Sequence, residues 1–178
     1  SSLKEIKTKE PELNIAGALF SPETGIIDVP EFITSLEGDI QHNEGVVSFN
    51  TNFLSAKKNG KSFCIKCCDG NEFEIEASVL INSAGLGSEN VSSRVSPLGE
   101  EFTHKIHYAK GHYFKYSGVN PFDALIYPLP NESSQGLHVG FDMSHQLRFG
   151  PDISWVDEID YVFDESLKEK FIHSIHNY

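Results

Sequence analysis

Two dipeptides, Asn59-Gly60 and Asp69-Gly70, constrain this fold more than any other feature of the sequence. Each tolerates the positive φ of a tight hairpin turn, and each is flanked by runs that suit a strand. Asn52 to Lys58, Lys61 to Cys68 and Glu72 to Glu76 therefore read as a three-stranded meander. In its middle strand Phe63, Ile65 and Cys67 fall on one face, and Cys64, Lys66 and Cys68 on the other. The same alternation speaks against a metal site. The outer residues of Cys64-Ile65-Lys66-Cys67 point to opposite faces, and no second cysteine pair follows. The three cysteines read as structural thiols suited to a reducing compartment.

The pattern changes on either side. Glu10-Pro11 is expected to break any helix near the start. Asp28-Val29-Pro30 opens a helix with a capping acid and an early proline. Phe32, Ile33, Leu36 and Ile40 form its apolar stripe, and Gly45 ends it. Val46 to Asn50 reads as a short strand, and Ser78 to Asn82 as a buried parallel one. The latter runs into Ser83-Ala84-Gly85-Leu86-Gly87 and a short helix to about Val95. After an irregular stretch, Tyr113 to Tyr116, Ala124 to Pro128 and Leu137 to Asp142 read as strands, and Arg148 to Asp152 as a loop. Asp164 caps a last helix carrying Leu167, Phe171, Ile172 and Ile175. The order points to an α/β (α+β) fold with a nucleotide-domain pattern. Gly85-x-Gly87 supplies only part of the Gly-x-Gly-x-x-Gly fingerprint.

Charge narrows the function. The net charge of −12 and the absence of a Lys/Arg run exclude a nucleic-acid binder that works by neutralising phosphates. No apolar run approaches the ~20 residues of a transmembrane span. The 178 residues allow one large domain or two small ones. Met143 is the only methionine, and the sequence stops inside a helical pattern. The expectation is a central piece of a longer protein.

Five segments together carry a resemblance. They are Glu10 to Leu13 with Ala18 to Asp28, Val79 to Leu86, Lys110 to Phe114 with Leu125 to Pro130, Gly136 to Asp142, and Arg148 to Asp152 followed by Trp155-Val156. Their order and spacing resemble the FAD-dependent oxidoreductases of the D-amino-acid oxidase superfamily, and within it the branch that oxidises L-2-hydroxyglutarate. The resemblance implies part of an FAD-binding Rossmann-like domain plus a mainly antiparallel β-sheet substrate domain. It divides the chain into residues 1–29 and 93–163 for substrate, 30–92 for FAD, and a truncated helix over 164–178. It lacks the family's N-terminal glycine-rich turn and its C-terminal segment, so the chain by itself is expected to bind FAD poorly and to be inactive.

Oxidation of a 2-hydroxy acid needs a hydride acceptor, a group to take the hydroxyl proton, and cations to hold carboxylates. The resemblance assigns the flavin contacts to Phe53, Ser83, Ala84, Gly85, Leu86 and Gly87. Arg148 is the leading carboxylate clamp. It is one of two arginines, it lies between Leu147 and Phe149, and its planar fork matches a carboxylate in two places. The alternative is a surface arginine bridging Asp152. Lys110, Tyr113 and Tyr127 are the further substrate ligands. His138 or His112 is the candidate proton acceptor, with a packed core histidine as the alternative for each. His138 points opposite to Leu137 and Val139 if that run is a strand. His104, His107 and His112 lack a fourth ligand, so no metal is expected. Asp142, Asp152 and Asp157 read as capping and solvated acids. Oxygen or a membrane quinone is the expected electron acceptor. The expected location is cytoplasmic or mitochondrial, with attachment to the inner-membrane surface as an option. The other readings are a flavoprotein for glycerol-3-phosphate or an amino acid, and a non-catalytic binding module.

Overall fold

The structure is a computed structural model that describes residues 3–98, 102–130 and 136–176. The chain separates into two units, Ser1–Ile33 with Ala109–Tyr178, and Thr34–Tyr108. The divisions fall at residues 33 and 108, where the sequence places them at 29 and 92. It is a mixed α/β structure whose sheets contain antiparallel and parallel pairs.

The Thr34–Tyr108 unit is built on the meander. Strands β1 (Asn52–Asn59), β2 (Ser62–Cys68) and β3 (Glu72–Ala77) pair antiparallel in sequence. Gly60 and Gly70 take φ of +61° and +121° at the two turns, which a residue with a Cβ rarely adopts. Strand β4 (Val95–Ser96) adds parallel to β1, giving the order β3-β2-β1-β4. Ala56, Ile65 and Cys67 are buried, with Phe63, Phe73, Leu80 and Val95 packed on them. On the other face Lys66 pairs with Glu74 at 3.2 Å, and the Cys64 thiol donates to Glu74 at 3.4 Å. That bond to Glu74 pushes the Cys64 thiol up from its ordinary value, which keeps it protonated and unreactive.

Two expected strands do not form. Val46 to Asn50 has no regular structure and ends in a turn, with Val46 88% exposed. Ser78 to Asn82 is also unpaired, and Val79 and Ile81 face solvent. An apolar run becomes a strand only when a neighbour completes its ladder of backbone bonds. Among the described residues, no strand pairs with either run. Helix α2 (Val29–His42) forms as expected. Asp28 Oδ1 accepts the Glu31 N–H at 3.1 Å, and the Gly45 N–H closes the end on the Ile40 carbonyl at 2.8 Å. Its stripe of Phe32, Ile33, Leu36 and Ile40 remains exposed.

The other unit begins with helix α1 (Leu3–Lys9). Glu10-Pro11 stops this helix rather than preventing it. The Glu10 carboxylate is buried and accepts the Ala124 N–H at 2.7 Å, which ties the start of the chain to the segment before Tyr127. Strands β5 (Tyr108–Lys110) and β9 (Ser154–Val156) pair with each other. Strands β6 (Phe114–Lys115), β7 (His138–Phe141) and β8 (Leu147–Gly150) form a sheet in the order β6-β8-β7. The expected loop at Arg148 is thus a strand up to Gly150, because Leu147 and Phe149 alternate into the core. The expected strand at Ala124 to Pro128 contributes a single bridge, Ile126 to Val139.

A short 3-10 turn, Glu165–Leu167, leads into helix α4 (Lys168–Ile175). Asp164 caps it by accepting the Ser166 N–H at 2.9 Å. Phe171 on α4 is 1% exposed and packs with Val139, Leu147 and Phe149. Burying one such side chain contributes about 1.5–3 kcal/mol. No helix among the described residues is long and apolar enough to cross a membrane.

Candidate functional site

The pleat of the β6-β8-β7 sheet sorts the candidate residues. Phe114 pairs with Phe149, Phe149 with Val139, Phe141 with Leu147, and Val139 with Ile126. Phe149, Val139 and Leu147 are buried in the core, with Phe114 and Ile126 packed on them. Side chains alternate along a strand, so their neighbours face the other way. That second face carries Tyr113, Tyr127, His138 and Arg148, with Gly140 directly across from Arg148. The space in front of Gly140 is open: a Cβ there would meet only the tip of Leu125, at 3.9 Å.

The four residues line one open cleft of about 760 Å³, together with Asp142 and the 25–30 segment that leads into α2. His138 is half-buried, and its Nε2 is buried without a hydrogen-bond partner. Its ring meets that of Tyr127 edge-on at 4.5 Å between centroids. Burial pushes the Tyr113 phenol up, against the pull of the nearby Arg148 charge, so it stays a neutral donor at neutral pH. Arg148 Nη2 lies 3.7 Å from Asp142 Oδ2. Asp142 in turn accepts the Ser144 hydroxyl at 2.6 Å and the Ser144 and Gln146 N–H groups at 3.0 and 3.1 Å. The Ser144 hydroxyl bond is the main cause that holds its carboxyl below the ordinary range, with the Gln146 N–H next. Arg148 thus has an acid partner, but that partner is Asp142 rather than Asp152.

Lys110 and His112 do not line this cleft. Lys110 Nζ pairs with Asp160 at 2.6 Å and also donates to the Val162 carbonyl. His112 is 6% exposed. Its ring Nδ1 lies 3.0 Å from Asp152 Oδ1, and its backbone N–H donates to the same oxygen at 2.7 Å. Phe163 packs edge-on against the His112 ring at 5.5 Å. The structure therefore brings together four of the six residues that the sequence assigns to substrate and proton. Asp142 is the one it adds. Parity carries that signal, since Asp142 is two residues on from Gly140.

In the other unit, Ser83 to Gly87 form an exposed turn that ends in a 3-10 helix, Gly85–Gly87, and runs into helix α3 (Ser88–Ser92). Asn82, which the sequence leaves unassigned, holds it. Its amide donates to the Ser88 carbonyl at 2.8 Å and Ser92 Oγ at 2.9 Å, and its Oδ1 accepts the Ala84 N–H at 3.2 Å. Gly85 takes φ +55°, and no heavy atom lies within 4 Å of a Cβ placed on Gly85 or Gly87. Phe53 is half-buried and packs against the meander core. Among the described residues, no group of three His, Cys, Asp or Glu could hold a metal.

These features meet a family. The model of the DAO family, described as FAD dependent oxidoreductase, matches residues 1–178, and the chain belongs to that family. Among curated proteins it is similar to "L-2-hydroxyglutarate dehydrogenase, mitochondrial" of Arabidopsis thaliana, with 30% identity over 214 residues, 98% of this chain and 44% of that protein. It is also similar to the L-2-hydroxyglutarate dehydrogenases of two Escherichia coli strains. For O17:K52:H18 the identity is 29% over 154 residues, and for K12 it is 25% over 151, each covering 83% of this chain and 35% of that protein. The chain spans less than half the length of these relatives. The bare backbone at Gly85 and Gly87 fits close approach by a dinucleotide, as the family requires.

Proposed function

We propose that this chain is the central part of an FAD-dependent dehydrogenase that oxidises a small L-2-hydroxy acid, with L-2-hydroxyglutarate as its substrate and 2-oxoglutarate as its product. The family match and the names of the relatives support the class. The observation that carries the site is the convergence of Arg148, His138, Tyr113 and Tyr127 on one cleft. FAD, when bound, supplies the acceptor for the hydride that leaves the substrate Cα. The Thr34–Tyr108 unit is its partial, Rossmann-like binding domain, and the Ser83–Gly87 turn would hold it. The other unit is the substrate domain. A mitochondrial location follows the name of the Arabidopsis relative.

The side chains then divide the work. Arg148 grips a carboxylate with its fork, displacing Asp142 from the guanidinium. The Tyr113 and Tyr127 hydroxyls donate to carboxylate oxygens. His138 Nε2 takes the hydroxyl proton as the carbonyl forms. His138 lines the cleft, its Nε2 has no hydrogen-bond partner within the protein, and a side-chain turn that brings this nitrogen to the substrate hydroxyl lets a neutral imidazole accept the proton. Lys110 and His112, held by Asp160 and Asp152, act on the structure of the cleft wall rather than on the substrate.

Arg148→Lys in the full-length protein tests the clamp. Lysine keeps the charge but loses the fork, so kcat/KM for L-2-hydroxyglutarate falls by about 10–100-fold. Unchanged kinetics would remove Arg148 from the site.

A further inference from the structure

The buried pair of His112 and Asp152 has no place in the proton transfer, yet it sits where the cleft wall is made. Asp152 Oδ1 accepts two bonds from one residue, the His112 N–H at 2.7 Å and the ring Nδ1 at 3.0 Å. One oxygen that holds both backbone and ring of a residue fixes the backbone at that point and the ring's rotamer together. The joint around it has no slack. A Cβ on Gly150 would fall 2.5 Å from the His112 carbonyl oxygen and 2.7 Å from Tyr113 Cδ1. A Cβ on Gly111 would fall 2.8 Å from Pro151 Cβ and 3.0 Å from the Asp152 carbonyl oxygen. Two glycines, one on each segment, let the backbones close, and the carboxylate locks them. The next residue after His112 is Tyr113, which lines the cleft.

The pair is also costly. His112 Nε2 and Asp152 Oδ2 are buried without hydrogen-bond partners. A buried polar group without a partner destabilises a fold, and a plain apolar contact could fill the same space. The joint therefore gains something besides burial.

We propose that Asp152 and His112 form a positioning pair that holds the Tyr113 phenol in the cleft and thereby sets substrate affinity. The pair does not touch substrate or exchange its proton. It rests on the reading that the cleft takes the carboxylates of a 2-hydroxy acid.

The test is a double-mutant cycle in the full-length enzyme, with L-2-hydroxyglutarate as the probe. Asp152→Ala frees Tyr113 from its place and raises KM about tenfold, the loss of the one hydrogen bond from Tyr113 to the substrate carboxylate, and leaves kcat within about twofold. Asp152→Asn keeps an oxygen that accepts both bonds and restores KM. Tyr113→Phe raises KM similarly, and adding Asp152→Ala to it changes nothing more, because the two act through one contact. Additive losses, a fall in kcat at constant KM, or an asparagine variant as impaired as the alanine one would overturn the proposal. His112→Ala carries the same expectation if Asp152→Ala does not fold. A second readout needs no substrate. In protein labelled with fluorotyrosine, the fluorine resonance lost in Tyr113→Phe belongs to Tyr113. Asp152→Ala broadens or shifts it and Asp152→Asn does not. An unmoved resonance contradicts the positioning role even if the substrate assignment holds. A wild-type enzyme inert to L-2-hydroxyglutarate contradicts the substrate reading and leaves the fluorine result to judge the pair.

Discussion

Arg148 lies against Asp142 until something displaces it, and the turn at Asp142–Gln146 keeps that acid charged. The same bonding sets an acid dependence. Asp142, Asp160 and Asp164 are all held below the ordinary Asp value of 3.8, through Ser144, Lys110 and Ser166 first. Each carboxyl binds its proton less readily folded than unfolded. The unfolded chain therefore takes up more protons in this range, and stability rises with pH. That stability is complete above the ordinary value and is lost as pH falls through the lowered ones. Urea midpoints measured between about pH 5 and pH 3 decline in the wild type. They decline less in Asp142→Asn/Asp160→Asn/Asp164→Asn, and an equal decline would contradict the assignment. Much of the site was legible at this scale. Arg148 stood out by its apolar neighbours, and His138 by its strand parity. The role of Asp152 was hidden, because its partner lies 40 positions away and only folding brings them together.

Elements with complete local signals form where the sequence places them. The meander has both turns and all three strands inside one stretch, and α2 and α4 carry their own caps. Segments that depend on distant partners were not legible. Val46 to Asn50 and Ser78 to Asn82 have the composition of strands but no pairing strand among the described residues. The segment at Arg148 has the reverse history: a strand there needs β6 and β7 on either side, which no local pattern reports. The packing of α4 on this sheet is the element that backs the cleft. Phe171→Ala removes its central side chain and costs about 3–5 kcal/mol. Urea denaturation of the full-length protein reads this as a lower midpoint for the unit that holds the cleft. An unchanged midpoint would show that α4 does not support the sheet.

For the whole molecule, the proposed reading gives each of the two units one kind of contact, substrate in one and flavin in the other. The cleft residues all fall in one unit, and the bare glycine turn falls in the other. Composition made neither visible. It was the order of motifs along the chain that carried the family resemblance, and the family match over residues 1–178 bears that out. We propose that this architecture serves oxidation of L-2-hydroxyglutarate. The direct measurement is the flavin absorbance of the full-length protein, mixed without oxygen with L-2-hydroxyglutarate, its D enantiomer, glycerol-3-phosphate and a set of amino acids. Bleaching by the L-hydroxy acid, with release of 2-oxoglutarate and no response to the others, is the expected result. A flavin left oxidised by L-2-hydroxyglutarate but bleached by another of these compounds would contradict it.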